Sequence, residues 1–216
     1  MENQDVSVNR NTEGKKVYLF FKRAFDIISA SIALVLFSPI FLIVAIAVKL
    51  DSKGPVFFGH TRMGLNGEKI KVYKYRSMVI NAQEVFENFT PEQKKEFEIN
   101  FKLDNDPRIT KVGNFLRKSS LDELPQLINI IKGDMSVVGP RPIVEKEIEK
   151  YGKYAPKMFS VKPGLTGYWQ ANGRSDTSYD ERVQMDMYYI DNMSFWMDIK
   201  IIFQTILSVL KGKGAV

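Results

Sequence analysis

Two adjacent acids, Asp122 and Glu123, stand in the stretch SSLDELPQLINIIKGD (residues 119–134), directly before an apolar run. Together with Ser120 they fit a capping box, in which acids favour the positive end of a helix. Pro125, however, would be the fifth residue of that helix, where its missing N–H and its ring disrupt the first turn. We therefore expect the two acids to lie on an irregular helix start, where both can face a site.

Basic residues flank the acid pair on both sides. Arg117 and Lys118 precede it, and the segment Pro140-Arg141-Pro142 follows it. The planar guanidinium fork suits phosphate, and the two prolines restrict the backbone around Arg141. A carboxylate in such surroundings can attack phosphorus or hold Mg²⁺. The pattern indicates a phosphoryl-transfer site, the alternative being charges scattered on a solvated surface.

Composition narrows the class of partner without choosing one. The 216 residues are 44% hydrophobic and 26% charged, which is typical of a globular chain and large enough for a real core. Cysteine is absent, which excludes a disulfide framework and thiolate metal sites. The net charge of +6 favours anionic partners such as acidic lipid, a phosphorylated substrate or nucleic acid. No nucleic-acid-binding module is recognisable, so we expect no nucleic-acid partner.

A 22-residue run without a charge, IISASIALVLFSPIFLIVAIAV (residues 27–48), is long enough to cross a bilayer as a helix. Ser38-Pro39 lies near its midpoint. Pro39 has no N–H for the carbonyl of Val35, and Ser38 can bond back to the carbonyl of Leu34. We expect a helix break here, which divides the run into two arms.

The charges around this run favour a helix that turns back over one that crosses. Lysine and arginine normally concentrate on one side of a spanning helix. Here they occur on both sides: Arg10, Lys15, Lys16, Lys22 and Arg23 before the run, and Lys49, Lys53 and Arg62 after it. We favour a re-entrant helix; the alternatives are a spanning helix with a proline kink and, more remotely, a buried core helix.

The remaining segments predict a mixed fold dominated by helices. Residues 55–78 read as a β-hairpin around Asn66-Gly67, with His60 as a structural residue of its first strand. A helical pattern covers residues 79–102, where Thr90 begins a capping box. Residues 104–118 predict a loop and a short helix, and residues 124–132 a short amphipathic helix.

Two further stretches have a distinctive composition. The segments VVGPRP and KPGLTGYWQANGRS are rich in glycine and proline and are expected to be loops, the second as a candidate for shaping a substrate pocket. SFWMDIKIIFQTILSVLK, near the C-terminus, has a wide apolar face with Asp198 on its other side. Phe195 and Trp196 are typical of the headgroup boundary of a membrane, which would suit an interfacial helix. The alternative is a helix of the soluble core.

The longest motifs resemble one family. KRAFD, FSPIFLIVAI, YKYRSM, DPRITKVGNFLRKSSLDELPQLINIIKGDMSVVGPRP and KPGLTGYWQANGRS occur in the order found in bacterial sugar transferases, the monotopic polyprenyl-phosphate phosphoglycosyl transferases. The resemblance runs from about Lys22 to the C-terminus. It implies a re-entrant helix broken at Ser38-Pro39. It further implies that Asp122 is the nucleophile that attacks the β-phosphorus of a UDP-sugar, releases UMP and carries a phosphosugar.

The same resemblance implies the partners of the site. Polyprenyl phosphate, usually undecaprenyl phosphate, would accept the sugar phosphate, and Mg²⁺ would sit at Asp122 and Glu123. Glu123 would position metal or substrate, or move a proton. Arg117 would face the phosphate of the lipid carrier, and Arg141 would hold the nucleotide side. The enzyme would lie at the cytoplasmic face of the bacterial inner membrane. The apolar surfaces of the chain, by themselves, are compatible with a homodimer.

Two other functions compete with this expectation. Asp104-Asn105-Asp106 resembles the D-x-D pattern of glycosyltransferases that release UDP, although an acidic turn before Pro107 explains it equally. A non-catalytic membrane-surface scaffold would need only the apolar segments and the basic surface. That scaffold leaves the packed acids and arginines unexplained.

The predicted organisation has three parts. Residues 1–21 form a polar tail, residues 22–49 the re-entrant membrane helix, and residues 50–216 a catalytic domain on the cytosolic side that ends in an amphipathic helix. Since about twenty polar residues precede the apolar run, we expect the compact form of the family, without an added N-terminal module. The fold class expected is α+β, dominated by helices.

Overall fold

The protein is described by a computed structural model that covers residues 2–100, 103, 105–173 and 177–210. Helices predominate and the strands form two small sheets, which confirms the predicted fold class. The elements are α1 (Glu2–Leu36), α2 (Ser38–Asp51), β1 (Phe57–Met63), β2 (Lys69–Tyr75), α3 (Ala82–Glu87), α4 (Pro91–Asn100), α5 (Lys111–Ser119), α6 (Gln126–Lys132), β3 (Ser136–Val138), α7 (Ile148–Tyr151), α8 (Ala155–Met158), β4 (Gly164–Thr166), α9 (Tyr168–Asn172), α10 (Tyr179–Asn192) and α11 (Phe195–Leu210).

The apolar run breaks at the predicted place. Helices α1 and α2 meet at Phe37 with a bend of 63°. Ser38 Oγ donates to the carbonyl of Val35 at 2.8 Å, whereas we predicted the carbonyl of Leu34. The observed choice has a clear reason, because Val35 is the residue whose carbonyl loses its helical partner at Pro39. The serine hydroxyl thus supplies the hydrogen bond that the proline cannot.

Among the described helices, none is by itself long and apolar enough to cross a bilayer. The bent pair Lys15–Leu36 and Ser38–Asp51 meets the requirement together, as a broken span or a re-entrant loop, by length and composition. Helix α1 begins at Glu2 and continues through residue 21, where we predicted the end of a separate tail.

The KRAFD motif attaches α1 to the rest of the fold. Arg23 donates to the carbonyls of Ile130 and Ile131 at 2.6 and 2.9 Å, where α6 ends. Asp26 is buried and accepts hydrogen bonds from Ser136 Oγ at 3.0 Å and from the backbone of Val137 at 2.9 Å. These bonds fix the first arm of the apolar segment against α6, the helix that follows the acid pair, and against strand β3.

Asp198 forms a second attachment point for α1. Lys22 Nζ lies 2.7 Å from Asp198 Oδ2, and the hydroxyl of Tyr18 donates to the same oxygen at 2.8 Å. Tyr189 donates to the other carboxylate oxygen at 2.8 Å. Asp198 therefore joins α1, α10 and α11 from a buried position, on the side of α11 opposite its exposed apolar residues, as the sequence pattern predicted.

The second arm is attached at its C-terminal end. Arg76, after β2, donates to the carbonyls of Ser52 and Pro55 at 2.8 and 2.6 Å. Asp51 accepts a hydrogen bond from the backbone of Val112 at 3.2 Å, in the first turn of α5. Both arms of the apolar segment are thus bonded to the elements that lie beside Asp122.

Several local predictions are confirmed. Strands β1 and β2 pair antiparallel from Phe57↔Tyr75 to Met63↔Lys69, and Asn66 and Gly67 take positive φ in the turn. Thr90 forms its capping box with Gln93 in both directions. The described part of the predicted helical stretch, residues 79–100, holds two helices, α3 and α4, and Gly133 ends α6 with φ 95°.

The segments expected to be loops are partly ordered into a small parallel sheet. Strand β3 pairs with β4, and α9 follows directly. Glycine permits this approach, since a Cβ on Gly164 would lie 2.1 Å from the nitrogen of Gly139. The close contact places Pro140-Arg141-Pro142 beside the segment that carries Trp169.

Candidate functional site

Asp122 and Glu123 lie in a 3₁₀ turn, Leu121–Glu123, between α5 and α6. Ser120 adopts a left-handed conformation with φ 58° and ends α5; its side chain caps no helix. The capping-box explanation is therefore wrong, and the predicted irregular start is confirmed, with Pro125 immediately before α6. The turn is held in place because its flanking helices bury Leu116 and Leu127 in separate hydrophobic clusters.

Lys74, on β2, contacts both acids. Its Nζ lies 2.6 Å from Glu123 Oε1 and 3.6 Å from Asp122 Oδ2. The Asp122 side chain is 10% exposed and that of Glu123 is 36% exposed. The more buried acid thus has the weaker contact with the shared cation.

This unequal sharing moves the two pKa values in opposite directions. Burial raises the pKa of Asp122, and the charge of Glu123 adds to that rise, while Lys74 and Arg117 oppose it. Burial would also raise the pKa of Glu123, but the charge and hydrogen bond of Lys74, with the charge of Arg141, lower it overall. Two acids adjacent in sequence therefore have different environments, as expected where they have different roles.

Arg117 and Arg141 approach the acids from two sides. Arg117, half-buried in the last turn of α5, lies within electrostatic reach of Asp122. Arg141 is exposed between the buried Pro140 and Pro142 and acts on Glu123. The structure therefore brings together the acids and arginines singled out in the sequence.

Strand β1 adds charges that sequence analysis missed. Arg62 donates to the carbonyl of Pro142 at 3.3 Å and lies 3.5 Å from Glu147. Burial and the charge of Arg141 lower the pKa of Arg62 to about 10. The hairpin register puts His60, Arg62 and Lys74 on one face, but the apolar Ile70 and Val72 share that face, so alternation along the strands gave no signal for this cluster.

His60 lies near this cluster in a neutral form. Burial, together with the charges of Arg62 and Lys74, lowers its pKa to about 4. In the described part of the chain, no group of three or more histidine, cysteine or acidic side chains is arranged to hold a metal ion.

The two acids nevertheless fit the ligand chemistry of Mg²⁺. This ion is often held by one or two carboxylates, with water and substrate phosphates completing its coordination. The ammonium group of Lys74 already bridges both carboxylates, so the pair accommodates a cation. Asp122 and Glu123 are the residues that would hold the ion.

Asp106, from the D-x-D pattern, is engaged elsewhere, and Asp104 lies outside the described residues. Asp106 and Arg108 form a buried ion pair with contacts from 2.6 to 3.1 Å. Asp106 also accepts from the backbone N–H of Arg108 at 3.0 Å, as in the turn expected before Pro107.

The site thus has two acids of unequal environment, a shared lysine and two arginines, and it is joined to a bent apolar helix pair. These features are those of a phosphate-handling transferase attached to an apolar segment. Residues 17–212 match the bacterial sugar transferase family. The chain belongs to this family, which confirms the resemblance and the prediction of a transferase enzyme.

Three similar proteins are informative. Exopolysaccharide production protein ExoY of Rhizobium meliloti is 50% identical over 90% of this chain and 87% of its own length. Undecaprenyl-phosphate galactose phosphotransferase of Salmonella typhimurium is 47% identical over 95% of this chain and 44% of its own length. UDP-glucose:undecaprenyl-phosphate glucose-1-phosphate transferase of Escherichia coli is 45% identical over 90% of this chain and 41% of its own length. The chain therefore spans less than half the length of the last two.

Proposed function

We propose that this protein transfers a sugar 1-phosphate from a UDP-sugar to polyprenyl phosphate, with undecaprenyl phosphate as the carrier. Such a step would begin assembly of an exopolysaccharide or a related glycan. The observation that carries the proposal is the unequal pair Asp122 and Glu123, which share Lys74 beside Arg117 and Arg141. The names of the similar proteins support the choice of substrates.

Asp122 is the proposed nucleophile. One of its carboxylate oxygens forms a bond to the β-phosphorus of the UDP-sugar, while the bond from that phosphorus to the oxygen bridging the α-phosphate breaks. UMP leaves with that oxygen, and a phosphosugar remains on Asp122. An oxygen of polyprenyl phosphate then attacks the same phosphorus, which yields the polyprenyl diphosphate sugar and restores the carboxylate.

The surrounding charges make this attack feasible. A carboxylate is repelled by a phosphate group unless cations neutralise the developing charge. Arg141 is suited to the nucleotide phosphate and Arg117 to the lipid phosphate, while Lys74 holds Glu123 beside the nucleophile. Mg²⁺, held by Asp122 and Glu123, would supply further charge neutralisation when bound.

We also propose that the bent helix pair lies in the membrane as a re-entrant segment, at the cytoplasmic face of the bacterial cell membrane. Helix α11 supports this placement because its polarity is inverted: Asp198 and Ile201 are buried, whereas Trp196, Phe203 and Ile206 are exposed. An apolar exposed face is typical of contact with lipid. A polyprenyl tail remains in the bilayer, so the transfer site must lie at its surface.

Cysteine labelling tests this topology, since the natural chain contains no cysteine. Lys15→Cys lies at the N-terminal end of the bent pair and Glu145→Cys lies in the domain after it, and both positions are exposed. A re-entrant segment predicts that a membrane-impermeant maleimide labels both variants in inside-out vesicles and neither in right-side-out vesicles. Labelling of the two variants in opposite vesicle types would instead establish a spanning helix.

The donor sugar is a separate question. Relatives named for galactose and for glucose are 47% and 45% identical to the chain, so overall identity does not select between them. The segment from Lys162 to Gly173, which includes β4 and α9, lies against the Arg141 loop and is our candidate for shaping the sugar pocket.

A nucleotide-release assay tests the reaction. Protein in nanodiscs is incubated with Mg²⁺, undecaprenyl phosphate and each of several UDP-sugars, and the nucleotide released is identified. We expect UMP with at least one donor and, without the lipid, a phosphosugar adduct that mass spectrometry locates on Asp122. Release of UDP would favour glycosyl transfer without the phosphate. An adduct elsewhere would overturn the role of Asp122.

A further inference from the structure

Helix α10 carries a polar stripe that the proposed reaction does not use. Tyr179, Arg182 and Asp186 are spaced by three and four residues, so they share one face of the helix. None belongs to the motifs around the acid pair, yet each interacts with Arg141 or with a group that contacts it. The stripe therefore converges on one arginine of the candidate site.

Asp186 is the most unusual member of the stripe. It is fully buried, and its Oδ2 accepts a hydrogen bond from Tyr151 at 2.8 Å. Its Oδ1 is also buried and has no hydrogen-bond partner among the described residues. Burial of a carboxylate without full hydrogen bonding is costly, so a purely structural position would be better served by a neutral side chain. Burial raises the pKa of Asp186 to about 7, and the hydrogen bond from Tyr151 and the positive charge of Arg141 oppose that rise.

Arg182 reaches Arg141 through an aromatic ring. The guanidinium carbons of Arg182 and Arg141 lie 4.8 and 5.9 Å from the ring centroid of Trp169, which is itself buried. Both distances are within the range of cation–π contacts. Arg182 also donates to the carbonyl of Thr177 at 3.2 Å, which fixes the arginine at the start of the helix. The indole is thus held in a position that determines where the side chain of Arg141 can lie.

Tyr179 completes the arrangement from the other side. Its hydroxyl donates to Glu147 at 3.4 Å, and Glu147 lies 3.5 Å from Arg62, which donates to the carbonyl of Pro142. The backbone next to Arg141 and the surroundings of its side chain are therefore both connected to one helix.

We propose that α10 is the positioning element for Arg141, with Asp186 as its buried counter-charge and Arg182 acting through Trp169, and that this arrangement sets the affinity for the nucleotide diphosphate of the donor. The inference rests on the proposed function for the identity of the donor. Asp186 and Arg182 are positioning residues, because they act on the substrate only through Arg141. The binding of the lipid carrier, on the Arg117 side, is independent of them.

Steady-state kinetics in nanodiscs tests the inference with Asp186→Asn, which keeps the shape of the side chain. We expect the KM for the UDP-sugar to rise about tenfold, the size expected for loss of one charged contact. The kcat and the KM for undecaprenyl phosphate should change less than about twofold, and the melting temperature should not fall. Arg182→Gln should raise the donor KM in the same way, and Arg182→Lys should restore part of it.

Gln184→Ala is the matched control, because Gln184 is exposed on the same helix. Equal donor KM values in wild-type protein and Asp186→Asn would overturn the inference. Equal rises in the KM for the UDP-sugar and the KM for undecaprenyl phosphate, with a lower melting temperature, would show that α10 has only a structural role. That result would also overturn the inference. Titration with UDP, followed by Trp169 fluorescence in a Trp196→Phe background, compares the same variants without turnover. That binding comparison decides the inference even if the wild-type protein releases no UMP.

Discussion

Asp106 and the adjacent acids Asp122 and Glu123 lie about sixteen residues apart in the sequence. Their carboxylates differ in how completely hydrogen bonds and ion pairs satisfy them. Asp106 meets the side chain of Arg108 through both carboxylate oxygens, and the rings of Phe86, Phe89 and Phe97 surround the guanidinium at 4.9 to 5.2 Å. Burial would raise the pKa of Asp106, but the hydrogen bonds and charge of Arg108 lower it. This pair is fully satisfied within the protein.

The carboxylates of Asp122 and Glu123 are less completely paired. One lysine serves two acids, at 2.6 and 3.6 Å, and the pKa of the more buried Asp122 is raised. A carboxylate without a close partner keeps lone pairs available for a metal ion or for phosphorus. Incomplete pairing, rather than the number of acids in a motif, therefore distinguishes the candidate reactive pair from the structural Asp106.

The strongest test of this difference is Asp122→Asn. We expect UMP release to fall about 10³-fold or more, since the amide cannot serve as the nucleophile. The melting temperature should be maintained, because the variant removes a buried charge whose pKa is raised. Asp191→Asn, in an exposed pair with Lys157, is the control and should retain full activity. Near-normal turnover by Asp122→Asn would rule out the covalent route.

Lys74→Met should give the next largest effect on activity. The variant leaves Asp122 and Glu123 without their shared cation, and we expect kcat to fall about 10²-fold, typical of losing one electrostatic contact in a reacting site. Lys74→Arg, which keeps the charge, should retain more activity than Lys74→Met. Equal activity of the two variants would show that the charge of Lys74 has no role in the reaction.

Asp106→Asn should show the opposite behaviour, with lost stability and retained chemistry. Breaking a buried pair should cost about 3 kcal/mol at pH 7, whereas the exposed pair in Asp191→Asn should cost less than about 1 kcal/mol. Because the pKa of Asp106 is lowered on folding, its contribution should disappear as the pH falls below the ordinary value of 3.8. Denaturant titration at several pH values measures this difference. A loss of activity in the folded variant, without a loss of stability, would contradict the structural role.

The smallest effect is expected at the helix break. Ser38→Ala leaves the carbonyl of Val35 unpaired and should cost about 1 kcal/mol in nanodiscs. Ser29→Ala is a matched control: Ser29 Oγ also donates to a backbone carbonyl, that of Phe25, but this carbonyl keeps its helical N–H partner. Equal stability of the two variants would show that Ser38 does not compensate for Pro39.

Local chemistry made part of the fold predictable. The Asn66-Gly67 turn, the Thr90 capping box, the stop at Gly133 and the break at Ser38-Pro39 all depend on residues close in sequence, and the structure contains each of them. The α10 helix was missed even though Ser178 forms a capping box with Glu181. Its buried polar residues, such as Asp186, interrupt the apolar periodicity that identifies a helix packed on a core.

The candidate site was predictable only for the residues that lie within its motifs. Asp122, Glu123, Arg117 and Arg141 were found because they share a stretch of about 25 residues. Lys74 and Arg62 come from a hairpin some fifty residues earlier and reach the site only through tertiary packing. Asp198 was predicted to lie opposite the apolar face of α11, but its burial was not predicted, because helical periodicity separates polar from apolar residues without showing which face is inside.

The sequence by itself determined the family, the broken apolar helix and the acids and arginines of the site, since each is encoded by residues adjacent in the chain. Only the tertiary structure decided which carboxylate is fully paired within the protein and which keeps lone pairs for a ligand. The pairing of Asp106 with Arg108, and the sharing of Lys74 by Asp122 and Glu123, depend on distances between side chains and on burial. Those quantities exist only once the hairpin, the two arms of the apolar segment and α10 have packed around the turn.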